Sequence, residues 1–329
     1  MKLPLSLGIR GFLVRRLVLY IALFFSVIVV TFILVHLAPG DPTYVLAGEV
    51  SDEAFIRSIR EKFGLDKPLY EQLFIYISNV IRGDLGYSYL RSEPVVSLVL
   101  SRIPATFVLV MSAMLIASLL GIVLGVIAAM KRGYIDTVVS ILSILGISIP
   151  YFWLGQIMLI VFSVYLGLFP TGGMISVRGA YEGIYYYIDI LHHLFLPATT
   201  LAIFNIAYVA KISRGAILNE LSQDYILTAR AVGISERGII FKYALRGALI
   251  PITTFIGFNT GVLLVGAIVT KTVFSWPGMG SLLYSSLRLR DYPVMLGIFI
   301  YGSLIIIVIN FVIDLLYMVL DPRIRRAVG

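Results

Sequence analysis

Asp224-Tyr225-Ile226-Leu227-Thr228-Ala229-Arg230-Ala231-Val232-Gly233-Ile234-Ser235-Glu236-Arg237-Gly238, continued by Ile-Ile-Phe-Lys-Tyr-Ala-Leu-Arg-Gly-Ala-Leu-Ile to Pro251, is the long polar interruption on the basic side of a largely apolar chain. Leu227, Ala229, Arg230 and Ala231 are good helix formers. Gly233 stands where a helix end favours a residue able to take positive φ. Ser235 can cap a second helix, with Glu236 in its first turn beside the positive end of the dipole. The pattern predicts a short helix, a glycine turn and a further helix entering a bilayer, which makes a lever at a membrane surface. An ordinary interfacial helix-turn-helix is the plainer reading of the same residues.

The surroundings require the bilayer. Hydrophobic residues make up 59% of the chain and charged residues 13%, with a mean hydropathy of +0.98, more than a soluble domain needs to cover one core. At ~20 apolar residues per spanning helix the chain holds about six spans with loops, and the fold class is an all-α integral membrane protein. The absence of cysteine excludes disulfides and thiolate metal sites. A formal net charge of +8 would suit nucleic acid, but the Lys and Arg are dispersed beside apolar runs, where the positive-inside bias explains them and no nucleic-acid partner is expected.

Leu17 to Leu37 is apolar apart from Ser26, Thr31 and His36, and it follows Lys2, Arg10, Arg15 and Arg16. It is too long for a typical signal-peptide core and lacks a small-x-small site, so residues 1–37 read as a cytoplasmic N-terminus and a retained first span. Residues 38–104 turn polar and amphipathic. Ser51 can cap a helix burying Phe55, Ile59 and Phe63 and stopping at Gly64. Asp66 with Pro68 opens another through Leu69 to Gly83, and a third begins near Ser92 with Pro94. Together they predict a small external helical subdomain.

The core of five further spans occupies residues 105–320. Ala105 to Met130 is the second span, with Gly121 and Gly125 making a face for close helix packing. Asp136 to Leu168 is too long for one straight span, and Pro150 predicts a kink or an irregular outer half. Leu194 to Ala210, Leu249 to Val269 and Val294 to Leu320 complete the set, with residues 169–195 as an external loop and 321–329 as a cytoplasmic C-terminus. Basic residues concentrate on the segments this topology places inside, including Lys131, Arg132, Lys211, Arg214 and the polar stretch at 211–248. Between Asp41 and Glu93, by contrast, nine acids offset the basic residues.

Set in this order, the blocks are specific. Asp224 to Glu236 resembles the cytoplasmic coupling loop of ABC-importer permeases, with Thr228 and Ala229 matching the family's small pair and Gly233 its glycine. Leu227 stands where many importers have an acidic residue, and Tyr243-Ala244-Leu245-Arg246 replaces their Ile-x-Leu-Pro; both departures are usual in the peptide branch. Ala38-Pro39-Gly40-Asp41-Pro42, Gly83-Asp84-Leu85-Gly86-Tyr87-Ser88, Ile149-Pro150-Tyr151-Phe152-Trp153-Leu154-Gly155, Phe274-Ser275-Trp276-Pro277-Gly278-Met279-Gly280, Arg290-Asp291-Tyr292-Pro293 and Asp321-Pro322-Arg323 resemble further blocks of that branch. The resemblance implies a type I importer permease architecture of six transmembrane helices. It also implies a second homologous permease, two ATPase subunits holding ATP and Mg, and an extracellular substrate-binding protein. Tyr225, Thr228, Ala229, Arg230, Gly233, Ser235, Glu236 and Arg237 are the implied ATPase-coupling residues. Peptides are the implied substrates, although permeases of the branch also serve oligosaccharides and nickel.

The chain's own chemistry leaves the energy source outside it. No lysine follows a glycine, so the phosphate loop Gly-x-x-x-x-Gly-Lys is absent. Ion coupling would rest on Asp314, Asp136 or His36, and a self-sufficient secondary transporter using Asp314 is the rival class. Asn205, Asn259, Asn310 and Gln156 suit helix-helix hydrogen bonds or a wet pathway. His192 and His193 are adjacent and point about 100° apart on a helix, a poor metal pair, and no catalytic constellation, metal site or cofactor of the chain's own is expected.

Overall fold

The computed structural model describes residues 8–37, 43, 52–131, 133–176, 181–266 and 273–320. Among these residues the fold is helical, with a single isolated bridge between Tyr87 and Pro94. The helices are α1 (Gly8–Leu37), α2 (Glu53–Phe63), α3 (Leu69–Ile81), α4 (Val95–Met130), α5 (Tyr134–Ser148), α6 (Tyr151–Met158), α7 (Ile184–Leu221), α8 (Asp224–Ala231), α9 (Glu236–Gly238), α10 (Leu245–Gly266), α11 (Met279–Arg288) and α12 (Tyr292–Leu320). Five helices are long and apolar enough to cross a membrane, and a sixth crossing is available if the bent pair α5 and α6 counts as one.

The expected kink at Pro150 is a bend of 91°. Proline disfavours helical backbone at the residue before it, and Ile149 is accordingly extended, at φ −75° and ψ 123°. Pro150, which has no N–H to leave unsatisfied, then opens α6. The irregular outer half takes the form of a π-helical turn at Leu159–Tyr165.

Two boundaries differ from the sequence reading. The helix expected near Ser92 starts at Val95 and runs on through Pro104 into the second span as one 36-residue helix. The fourth span begins at Ile184, inside the stretch read as a loop, and continues to Leu221. Both helices carry a proline in their interior, Pro104 and Pro197, which tertiary neighbours can compensate. α2 starts one residue later than expected, with Asp52 rather than Ser51 at its N-cap position. Ser51, the Ala38 to Pro42 block and the Asp321 to Arg326 tail lie outside the described residues.

Glycine pairs set the helix spacing. Cβ atoms added at Gly121 and Gly125 of α4 would lie 2.6 Å from Val209 Cβ and 2.5 Å from Ser213 Cβ of α7, so only glycine permits this approach. The i, i+4 spacing on both sides lets one ridge seat in one groove. Gly257 does the same for α10, where an added Cβ would meet Ile313 of α12 at 2.6 Å.

Apolar clusters mark the two ends of the bundle. One joins Phe32, Val35, Val95, Leu98, Met279, Leu283, Tyr292 and Ile298, with Leu73, Tyr76 and Leu85 packed against it. The other joins Val126, Ala129, Ile217, Leu221, Ile226, Ile239, Ile240, Ala244 and Ile252. The quoted polar stretch belongs to the second end. Near the same end, Arg214 of α7 donates to both carboxylate oxygens of Asp136 in α5, while Asp314 of α12 lies 2.9 Å from Arg16 and accepts from the Tyr20 hydroxyl at 2.6 Å. Two of the ion-coupling candidates are therefore held in pairs between spans. The third, His36, stacks on Phe32 with ring centroids 4.0 Å apart.

Candidate functional site

The site is built from the end of α7, all of α8 and the turn that leads into α10. α7 closes at Leu221, and Gln223 is extended, at φ −78° and ψ 148°, which turns the chain before α8 begins. α8 ends at Ala231. Gly233 follows at φ +86°, and its N–H bonds to the Arg230 carbonyl at 2.9 Å while Ile234 N–H bonds to the Ala229 carbonyl at 3.2 Å. The left-handed glycine thus satisfies carbonyls the helix end would leave open. Ser235 caps α9 as expected, its Oγ accepting from Gly238 N–H at 3.3 Å. A π-helical turn at Ile239–Ala244 leads into α10.

One face of this unit is anchored. Ile226 is fully buried and Ala229 nearly so, both in the cluster with Ile217, Leu221 and Ile239. The other face is offered outward. Val232 is 76% exposed and Leu227 59%, and Thr228, Arg230, Ser235, Glu236 and Arg237 are exposed with them. Arg230 and Glu236 clasp across the glycine turn, with Nε to Oε1 at 2.9 Å and Nη2 to Oε2 at 3.3 Å. The structure therefore divides the small pair: Thr228 faces out, while Ala229 serves the protein's own core.

Two participants escaped the sequence reading. Glu220 accepts the Tyr225 hydroxyl hydrogen bond, and its carboxyl carbon would lie 2.5 Å from a Cβ added at Gly247. Glu220 thus ties the last turn of α7 to the first turn of α8 and lies against the first turns of α10. Gly247 was the available signal, since a glycine inside a helix often marks a close approach.

The remaining blocks meet at the opposite end. The Gly83 to Ser88 turn docks on the Arg290 to Pro293 block: Asp291 accepts from Ser88 Oγ at 2.5 Å and from Tyr89 N–H at 3.1 Å. Gly83 and Gly86 both have positive φ, at 81° and 80°. Trp276 is fully buried, and its Nε1 donates to the Ala105 carbonyl at 2.7 Å while Met279 N–H donates to Thr106 Oγ1 at 2.8 Å. Burial pushes the Tyr76 and Tyr89 hydroxyls at this end to higher pKa. His192 and His193 turn to different backbone carbonyls, those of Leu168 and Asp189, and no metal-ligating cluster occurs among the described residues.

Residues 121–326 match the family model described as binding-protein-dependent transport system inner membrane component, and residues 9–110 match that of its N-terminal region. The chain is 42% identical over 320 residues to the probable D,D-dipeptide transport system permease protein DdpB of Escherichia coli (strain K12), covering 92% of this chain and 94% of that protein. It is 41% identical over 332 residues to the di/tripeptide transport system permease protein DppB of Pseudomonas aeruginosa (strain UCBPP-PA14), covering 96% and 99%. Identity to the glutathione transport system permease protein GsiC of Escherichia coli (strain K12) is 39% over 316 residues, covering 96% and 99%. Among solved structures, a chain of the MetNI methionine ABC transporter in inward-facing conformations aligns with a TM-score of 0.54 at 17% identity, over 70% of this chain and 99% of that one.

Proposed function

Because the chain belongs to the family of binding-protein-dependent transport system inner membrane components, we propose that it is the permease subunit through which an ABC importer moves short peptides across the cell membrane. With a second, homologous permease it forms the pathway, and an extracellular binding protein delivers the substrate. Two ATPase subunits, holding ATP and Mg, supply the energy. Both termini and the 211–248 segment face the cytoplasm, in keeping with the basic residues there, and the helices within 38–104 face outward. The choice of peptide over oligosaccharide or nickel rests on relatives whose names specify dipeptide, di/tripeptide and glutathione transport.

The observation that carries the coupling role is the two-faced geometry of α8. Ile226 and Ala229 fix it to the bundle, while Leu227 and Val232 hold apolar surface in the open, rimmed by Thr228, Arg230, Glu236 and Arg237. An exposed apolar patch with a polar rim suits a protein partner. ATP binding closes the ATPases, displaces α8 together with the start of α10, and turns the pathway outward to receive substrate; hydrolysis resets it.

Gly233 supplies the test. Nothing lies within 4 Å of a Cβ placed there, so a substitution meets no steric wall and acts through the positive φ alone. Gly233→Val in the complete transporter is expected to abolish peptide uptake while the complex still assembles and hydrolyses ATP, with Gly233→Ala intermediate. Normal uptake by Gly233→Val would overturn the coupling role.

A further inference from the structure

The two helices between the first and second spans present unlike outer surfaces. α2 exposes Glu53, Arg57, Arg60 and Glu61, as a helix in water does. α3 exposes Tyr70, Phe74 and Ile81, at 71%, 75% and 68%, and its one charged residue is Glu71. With the half-buried Ile77 these recur at i, i+4, i+7 and i+11, which is one face of a helix. Leu73 and Tyr76 lie on a different face, packed against the apolar cluster of Phe32, Val35 and Tyr292. The exposed stripe is therefore separate from the face that anchors α3 to the bundle.

The anchoring face fixes the height of α3 on the molecule. Tyr76 stacks on Phe32 of α1 with ring centroids 5.8 Å apart, and α1 ends at Leu37, ~7 Å of helical rise farther on. The apolar run of α1, Val14–Leu37, has 24 residues, ~36 Å of helix against a hydrocarbon core ~30 Å thick. Phe32 thus sits at or just inside the edge of the hydrocarbon, and α3 docks at that level. The outer turns of α1 expose Leu34 and Leu37 to lipid at the same height. Contact between helices at membrane depth favours small residues, whereas this stripe offers Tyr, Phe and Ile, side chains that insert among lipid chains. A soluble partner comes and goes, and between its visits such a stripe in water invites aggregation. Lys67 and Arg82 at the ends of α3 are countered by Asp66, Glu71 and Asp84, so the attraction is apolar and not one of charge.

We propose that α3 is an interfacial helix whose Tyr70, Phe74, Ile77 and Ile81 insert into the adjacent leaflet, so that the bilayer itself covers the stripe. Such a helix buries its apolar face ~5–10 Å into the boundary between headgroups and acyl chains. The Tyr70 hydroxyl reaches headgroup level, and Glu71 and Ser78, on the neighbouring face, stay toward water. Lipid on one face and the Phe32 cluster on another then hold α3 from two sides, while the charged side of α2 faces water. That the leaflet is the outer one rests on the outward placement of 38–104 given above; the contact with lipid does not depend on it.

The chain contains no cysteine, so one introduced thiol carries one probe. Phe74→Cys and Ile81→Cys, each labelled with the polarity-sensitive nitrobenzoxadiazole fluorophore, are read in the complete transporter in vesicles of phosphatidylethanolamine and phosphatidylglycerol, first without binding protein. Arg57→Cys on α2 is the water-facing control and Leu34→Cys on α1 the lipid-facing one; all four side chains are exposed, so their replacement spares the core. The expected emission at Phe74→Cys and Ile81→Cys is shifted to the blue of Arg57→Cys. A nitroxide lipid should quench it, more strongly with the nitroxide near the headgroup end of the acyl chain than near the methyl end, while iodide quenches Arg57→Cys alone. High salt should change neither result, because apolar insertion is not screened, and Phe74→Glu should move the Ile81→Cys emission toward that of a probe in water. Quenching of Phe74→Cys and Ile81→Cys by iodide and not by lipid would place the stripe in water and overturn the proposal. Protection from iodide only after the binding protein is added would give the stripe to that partner, and protection from both quenchers would give it to the second permease; either also overturns it. Iodide confined to one side of the vesicle shows through Arg57→Cys which side carries α2 and α3, so an error of orientation is read separately from an error about lipid.

Discussion

The two ends of the bundle are held together by different means. At the end carrying α3 and α11, the fastenings are buried: Trp276 Nε1 to the Ala105 carbonyl, Met279 N–H to Thr106 Oγ1, and Asp291 accepting from both Ser88 and Tyr89. At the end carrying α8, the cluster is built from smaller aliphatic residues. The polar ties of the α8 segment itself, Arg230 to Glu236 and Tyr225 to Glu220, lie in the open, whereas the neighbouring spans are held by the partly buried Arg214–Asp136 and Asp314–Tyr20 contacts. A buried hydrogen bond is costly to break, because each partner then sits unsatisfied away from water. An exposed one is exchanged for water at little cost. The first end therefore admits one arrangement, and the α8 segment at the second can be re-seated, as the proposed coupling role requires.

The comparison breaks most readily at Trp276. Trp276→Ala removes a fully buried indole and leaves the Ala105 carbonyl one partner short, so the expected loss is ~3–5 kcal/mol, read as a large fall in thermal midpoint in detergent or as failure to accumulate. Asp291→Ala comes next. Asp291 is 3% exposed, and removing its carboxylate strands Ser88 Oγ and Tyr89 N–H, at a cost of ~1–3 kcal/mol on the same readout. Among complexes that do assemble, ATP hydrolysed per peptide imported should remain at the wild-type ratio for both variants. If that ratio changes while the midpoint holds, the two ends are not specialised as described.

How much of this was legible in the sequence depends on the range of the interaction. The six-span pattern, the break at Pro150 and the glycine turn at 233 are properties of local residues, and local physics made them readable. The start of α4 was misplaced because Pro104 looks like punctuation, whereas it is accommodated inside the helix, and that of α7 because its first turns, with Tyr185 to Tyr187, Asp189, His192 and His193, look like a loop. That the Gly83 to Ser88 and Arg290 to Pro293 blocks touch could not be read, since 203 positions separate Ser88 from Asp291. Within the site, Thr228 and Ala229 look alike on paper, and only helix phase set by the Ile226 anchor sends one outward and the other into the core. Glu220 was visible only as a charge, and its role appears once Gly247 is seen beneath it.

The smallest expected effect is the sharpest test of the pliable end. Arg230 and Glu236 form a forked pair, which on geometry alone looks strong, yet their side chains are 41% and 66% exposed. Water and salt screen such a pair, and holding two long side chains in one geometry costs entropy, so its net worth is ~0.2–1 kcal/mol and shrinks as salt rises. Arg230→Ala and Glu236→Ala should each shift the thermal midpoint by a degree or two at most, by roughly the scaling of small free-energy changes, and the double variant should show little coupling between them. The pair closes the Gly233 turn, however, so it shapes the surface presented by Leu227 and Val232 even where it hardly stabilises the fold. ATP consumed per peptide imported should therefore rise in both variants, more so at low salt where the wild-type clasp is strongest. A midpoint loss as large as that of Asp291→Ala would mean that this end is fastened as firmly as the other, and the division of labour between a fixed end and a movable one would fail on its weakest bond.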